Sequence, residues 1–220
     1  LAYYSPSKTK NPHDYTRTPG GSSSGSAAVV AAHMAPLSIG SQTGGSIIRP
    51  ASYCGVVGYK PSYGLISRNG VLRTSYTLDH IGVFGKNVED VALLAKVLIK
   101  KDSYDQATVY YSAEEMLNAC RKKPLFEPKF IFYKTDAWKL VDKKSRESFE
   151  YFIKSFKKNI EIFDTPSYFK DINKYHQIIH ETDLANNFSE YYKKNKKKLS
   201  NYMQKAIANG NKYSAKDYAE

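Results

Sequence analysis

The stretch GGSSSGSAAVVAAHMAPLSIGSQTGGSIIRPA, residues 20–51, decides how this chain is read. Two clusters of glycine and serine, Gly20-Gly-Ser-Ser-Ser-Gly25 and Thr43-Gly-Gly-Ser-Ile47, enclose an alanine-rich run. Glycine loses more conformational freedom on folding than any other residue, so two such clusters in one neighbourhood ask for a structural reason. A flexible linker is one such reason. The segment between them argues against it, because SAAVVAAHMA is a helix former and LSIG reads as a short buried strand. The expected order is loop, helix over 26–34, strand over 37–42, loop over 43–47. Both loops are placed at the ends of packed elements.

Working outward, residues 56–58 and 64–67 read as short strands around a Lys60-Pro61 turn, and 81–84 is another apolar run. Asn87-Val-Glu-Asp90 caps the clearest helix, with Val91, Leu94, Val97 and Leu98 predicted on its buried face. Strands at 130–133 and 160–163 flank an amphipathic helix at 139–158, which is the order of a βαβ unit. From Tyr168 onward the pattern is helical and polar, and we expect a peripheral helical region there. The alternation makes the class α/β, a mixed sheet flanked by helices.

The length of 220 residues allows one large domain or two small ones. Hydrophobic content of 41% with 25% charged residues is that of a soluble globular protein. The longest apolar stretch, 27–39, is broken by His33 and Pro36 and is too short to span a membrane. Cys54 and Cys120 give neither a disulfide framework nor metal spacing, and no signal peptide is visible, so a cytoplasmic protein is expected. The chain opens on Leu1, and Ser214-Ala-Lys-Asp217 starts a capping box three residues before Glu220, so part of a longer protein is expected.

A net charge of +12 raises nucleic acid or an anionic surface as a partner. The excess is spread, however, with 11 Lys+Arg against 6 acids in residues 1–110 and 22 against 15 in residues 111–220. The run from Lys193 to Lys198 reads as a solvated helix face, and the 19 tyrosines as compositional bias, so nucleic acid is disfavoured. His176 and His180 share i, i+4 spacing without a supporting cluster, and are expected at surface helix positions in preference to a zinc site.

Gly21-Ser-Ser-Ser-Gly25 matches the G-x-S-x-G nucleophile elbow, with Ser23 as nucleophile. That elbow needs a buried strand before it, and Asn11-Pro-His-Asp-Tyr-Thr-Arg-Thr-Pro19 makes a poor one. A phosphate loop is weaker still, since no Gly-Lys-Ser/Thr follows the glycines. Singly, either loop is equally well a tight turn. Together they place Ser22 and Ser46, each preceded by a glycine pair, at the ends of connected elements that can fold back on one another.

These residues resemble the amidase signature family. The resemblance runs from Asn11-Pro12, Asp14 and Arg17 through Pro19-Gly-Gly-Ser-Ser and Thr43-Gly-Gly-Ser-Ile. It continues through Cys54-Gly-Val-Val-Gly-Tyr-Lys-Pro-Ser, Tyr63-Gly, Leu78-Asp79 and Gly82 to Val88-Glu-Asp-Val-Ala-Leu-Leu. It implies one amidase domain, with a signature core over 1–104 and the βαβ unit and peripheral helices over 105–220. It also implies an acyl-enzyme on Ser46, a proton relay at Ser22 after a cis Gly21-Ser22 bond, and an oxyanion hole from the backbone N–H groups of Thr43, Gly44, Gly45 and Ser46. Paired glycines let the backbone aim its donors at one point.

The base in that family is a lysine, which must be held neutral by burial or neighbouring charge. The resemblance places it upstream of this sequence. Lys8 and Lys10 lie in a polar turn-rich run, and Lys60 belongs to the Tyr-Lys-Pro-Ser turn, so the chain alone is expected to be inactive. Relatives often carry Asp where Gln42 stands and Arg directly after Gly-Gly-Ser-Ile, where this chain has Ile48 and then Arg49. That tilts the expectation toward a stand-alone amidase, similar to the A subunit of tRNA-dependent amidotransferases, acting on a small-molecule amide. No metal or organic cofactor is implied, and a homodimer is left open. The alternatives are a glutaminase A subunit with its own partner subunit, and a basic non-catalytic binding module. Cys54 is expected to be a buried structural thiol.

Overall fold

Small residues after the first loop form helix α1 (Ser24–Ala31), which buries Ala27, Ala28, Val30 and Ala31. His33, at φ 60, turns the chain into strand β1 (Leu37–Gln42) in the computed structural model, which describes residues 8–220. Helix α2 (Ile48–Tyr53), strand β2 (Val57–Tyr59), strand β3 (His80–Gly85), helix α3 (Val88–Leu98) and helix α4 (Met116–Arg121) follow. β1, β3 and β2 form an antiparallel sheet in that order, with Ile39 opposite Val83 and Gln42 opposite His80. β3 is therefore central, and it is buried from Ile81 to Gly85. The buried strand expected at 37–40 is instead an edge, with Ile39 half exposed.

Two apolar clusters sandwich this sheet. Ile47, Ala51, Cys54 and Phe84 pack with α1, while Ile66, Val83, Val91, Ala95 and Ile99 pack with α3. The strand expected at 64–67 reduces to a single bridge, Ile66 to Ile99. The Asn87 side chain caps α3 by accepting from the Asp90 N–H at 2.8 Å. Its buried face is Val91, Ala92 and Ala95, and Val97, expected inside, is 66% exposed. The alanines explain the rotation: they let the helix lie close to β3, where Val91 sits against Gly85.

The chain divides into two compact units, one comprising residues up to 121 together with 175–220, the other residues 122–174. The second holds parallel strands β4 (Phe130–Lys134) and β5 (Ile160–Asp164) joined by helix α5 (Lys143–Ser155), the expected βαβ order. Asp142 caps α5 by accepting from the Ser145 N–H at 3.0 Å. Phe132, Trp138 and Phe149 form its aromatic centre.

Helices α6 (Ile172–Asn187), α7 (Ser189–Asn195), α8 (Asn201–Gly210) and α9 (Ala215–Ala219) complete the chain. Leu184, Ala185 and Phe188 of the first unit pack with Met203, Ala206 and Ile207. Buried Glu181 accepts from Gln177, Asn209 and the Tyr213 hydroxyl. Gly210 is required there, because a Cβ would collide with the Glu181 carbonyl. The Ser214–Asp217 capping box starts α9. Among the described residues no helix is long and apolar enough to cross a membrane.

Candidate active site

The two glycine–serine loops meet. The Ser23 N–H donates to the Ser46 carbonyl at 3.3 Å, and Ser22 and Ser46 both line one cavity of about 740 Å³. The Gly21-Ser22 peptide bond is cis. The two hydroxyls form no direct hydrogen bond to each other among the described residues. Ser22 also borders a second cavity of about 230 Å³, which it shares with Ser41, Thr43, Thr74 and Asp79. Ser22 therefore stands between two spaces.

The approach to the first loop is tied down by side chains. Buried Asn11 donates to the Thr18 and Tyr53 carbonyls at 3.2 and 2.8 Å, and His13 donates to the Cys54 carbonyl at 2.8 Å. Asp14 accepts from Thr16 and Arg17, which holds its carboxyl below the usual range. Ser24 donates to the Gly20 carbonyl at 2.7 Å, and Ser26 to Ile39 at 2.8 Å. Ser23, the elbow candidate, is committed: its hydroxyl donates to the Ser41 carbonyl at 3.0 Å and accepts from the Ser41 N–H at 3.2 Å. A hydroxyl used in both directions to brace β1 is a fastener for that strand.

In the second loop buried Gln42 does the shaping. Its Oε1 accepts from the Ile47 and Ile48 N–H groups at 2.9 and 3.1 Å. Two donors facing one side-chain atom require an acceptor, and the amide oxygen supplies it as a carboxylate would. The departure from Asp thus leaves the acceptor role intact. Between these anchors the N–H groups of Gly44, Gly45 and Ser46 have no acceptor among the described residues. Gly45, at φ 120, takes a backbone conformation that side chains disfavour. Arg49 folds back to donate to the Gly44 carbonyl at 3.1 Å.

Several cavity residues lie far off in sequence. His176 donates to the Thr43 carbonyl at 3.3 Å, and His180, Leu184 and Met203 add to the same wall. His176 and His180 are half-buried cavity residues, where the sequence suggested surface positions. Burial, then the neighbouring His176, pushes the His180 pKa down. Their i, i+4 spacing was the available signal. Asp79 accepts from the Thr43 hydroxyl at 2.6 Å, a contact that the sequence does not announce. Among the described residues no cluster of three or more His, Cys, Asp or Glu could hold a metal.

Lys10 lines the larger cavity and is exposed, as is Lys8. Burial lowers the Lys60 pKa, but its amine donates to the Pro61 carbonyl at 2.7 Å and it lines neither cavity. Cys54 is fully buried, its thiol donates to the Pro19 carbonyl at 3.4 Å, and burial pushes its pKa up.

The chain is thus an α/β scaffold with two serines lining one cavity, beside three backbone N–H groups that have no acceptor among the described residues. The Amidase family model matches residues 3–219, and the chain belongs to that family, within the amidase signature group. It is 59% identical over 100 residues to the second A subunit of the glutamyl-tRNA(Gln) amidotransferase of Clostridium acetobutylicum, a match covering 46% of this chain and 21% of the relative. The solved A subunit of the Thermotoga maritima glutamyl-tRNA(Gln) amidotransferase superposes with a TM-score of 0.75 at 31% identity, over 94% of this chain and 47% of that one. The peptide amidase of Stenotrophomonas maltophilia gives 0.74 at 22% identity, over 96% and 48%, a likeness of fold alone. The chain spans about a fifth of that curated relative and about half of each solved chain.

Proposed function

We propose that these residues form the acyl-transfer half of an amide hydrolase. Ser46 attacks the amide carbonyl, and the tetrahedral oxyanion is received by the N–H groups running from Thr43 to Ser46. Ammonia or an amine leaves, and water then releases the acid from the Ser46 ester. Ser22 relays the proton to a lysine base contributed from outside residues 1–220. The observation that carries this reading is that Ser22, Gly44 and Ser46 line one cavity, while the Gly44, Gly45 and Ser46 N–H groups have no acceptor among the described residues. Such donors are worth most where they are fixed before charge develops.

The smaller cavity beside Ser22 supports the relay. It adjoins that serine and is bordered by Arg68 and Arg73. Amide turnover is to be measured as ammonia release from a panel of carboxamides that includes glutamine, in a longer protein made by extending residues 1–220 on both sides. Ser46→Ala is expected to lower kcat by about four to six orders of magnitude. Turnover undiminished in that variant would end the reading.

The second reading is the glutaminase A subunit of a tRNA-dependent amidotransferase, favoured by the 59% identity to a protein of that description. Glutamine turnover that rises only when a partner subunit is added would select it. A basic binding module has less support, because Lys193 and Lys194 are paired with Glu190 and Lys196 lies over the Tyr192 ring. A steep fall in tRNA binding with salt would bring it back.

A further inference from the structure

The loop from Thr43 to Ile48 is clamped at both ends. Gln42 holds the far end through the Ile47 and Ile48 N–H groups. At the near end the sheet register sets Gln42 opposite His80, which brings Thr43 beside Asp79. The Asp79 carboxylate uses both oxygens there. Oδ1 accepts from the Thr43 and Thr74 hydroxyls, each at 2.6 Å, and Oδ2 accepts from the Thr74 and Ser75 N–H groups at 2.7 and 2.9 Å. Hydrogen bonds to an ionised acceptor are short and about twice as strong as neutral ones.

The donors that fix Asp79 are themselves fixed. Asp183 of α6 accepts from the Ser75 and Thr77 hydroxyls at 2.5 and 3.0 Å, and the Asn187 amide donates to the Thr74 carbonyl at 3.2 Å. A chain of hydrogen bonds therefore runs from α6 through the 74–79 turn to the hydroxyl of Thr43. The N–H groups of Gly44, Gly45 and Ser46 begin one residue later. Two glycines give that segment little stiffness of its own, so its direction depends on what holds Thr43.

We propose that Asp79 is a positioning residue of this site: by fixing the Thr43 hydroxyl it aims the Gly44–Ser46 N–H groups at the point where the oxyanion forms. The inference rests on the amide-hydrolase reading above. The plainer alternative is that Asp79 only stabilises its own turn, since two of its four donors are the nearby Thr74 and Ser75 N–H groups. The Thr43 hydroxyl separates the two accounts, because it belongs to the loop and contributes nothing to the turn's backbone bonds.

The experiment uses the longer protein, after Ser46→Ala has been shown to abolish turnover. Thr43→Val keeps the side-chain shape and removes the hydroxyl. It is expected to lower kcat about 10- to 100-fold, as for a donor moved off line, with KM changed less than about threefold. Thr43→Ser is expected to restore kcat to within about threefold of the parent. Combining Thr43→Val with Asp79→Ala should be no worse than the poorer single variant, because the bond lost in Thr43→Val is among those lost in Asp79→Ala. A parental kcat in Thr43→Val, or additive losses in the pair, would overturn the proposal. If Asp79→Ala does not fold, the Val and Ser variants decide alone. If turnover survives Ser46→Ala, it is the amide-hydrolase reading that fails. Amide NMR of the same protein then still judges the positioning: Thr43→Val should shift Gly44 and Gly45 and leave Ile47 and Ile48 in place, and unmoved glycines would refute it.

Discussion

Residues 37–85 and residues 122–174 each set a small sheet against helices, and they secure it by different means. In the first, side-chain oxygens lash backbone to backbone: Ser23 to Ser41, Ser26 to Ile39, Gln42 to Ile47 and Ile48, and Asp79 to Thr74 and Ser75. The central strand is buried almost throughout. In the second, two parallel strands rely on aromatic packing, and Ile131, Tyr133, Ile162 and Phe163 remain about half exposed. The difference shows where geometry is fixed. A hydrogen-bonded loop has one arrangement, whereas ring-on-ring packing tolerates several.

If the first region depends on satisfied polar groups, its largest vulnerability is a buried one left without a partner. Arg68 and Asp105 are both nearly fully buried and form a two-pronged pair, Nε to Oδ2 and Nη2 to Oδ1, each at 2.9 Å. Asp105→Ala leaves the guanidinium uncompensated and should cost about 3–5 kcal/mol in a denaturant titration. A loss under about 1 kcal/mol would mean that the pair is not structural.

The same pair sets a pH dependence. The Arg68 guanidinium holds the Asp105 carboxyl well below the usual carboxylate range. The unfolded chain therefore takes up a proton at a higher pH than the folded one. The resulting stability is full above the unfolded pKa of about 4 and is lost as pH falls through the lower folded value. Melting temperature should drop below about pH 4 in the parent and drop less in Asp105→Ala. Equal acid sensitivity in both would remove the pair as the cause.

A smaller effect is expected from packing. A Cβ on Gly82 would overlap the Tyr59 carbonyl and the Ile47 side chain, where the sheet presses on the end of the Thr43–Ile47 loop. Gly82→Ala should destabilise by about 1–3 kcal/mol and slow turnover with it. Stability without change would mean that the contact relaxes freely. The smallest effect belongs to the second region, where Tyr151 is 79% exposed. Tyr151→Ser should stay within about 0.5 kcal/mol of the parent, and a larger loss would show packing on that face.

How much of this was legible in the sequence follows from range. The two loops, the α3 cap and the βαβ order are local patterns, and turn chemistry and periodicity reveal them. Which face of α3 is buried was not local, because Ala92 and Ala95 were chosen by the sheet they approach. G-x-S-x-G was visible at residues 21–25, but the use of the Ser23 hydroxyl by Ser41 depends on β1 lying alongside. Gln42 read as a departure, and only the facing Ile47 and Ile48 N–H groups show that its oxygen meets the same need. His176 reaches Thr43 across 133 residues, a separation at which no spacing rule operates. Asp79 was visible as part of a motif and silent as to its partners, which come from strand register.

The claim at the centre is that the two loops make one nucleophilic site with Ser46 as its reacting residue. The direct measurement is fluorophosphonate labelling of the longer protein, followed by peptide mass mapping of the adduct. The adduct is expected on Ser46, slowed in Ser22→Ala and absent in Ser46→Ala. An adduct that persists in Ser46→Ala and disappears in Ser23→Ala would contradict the account and make the first loop the elbow.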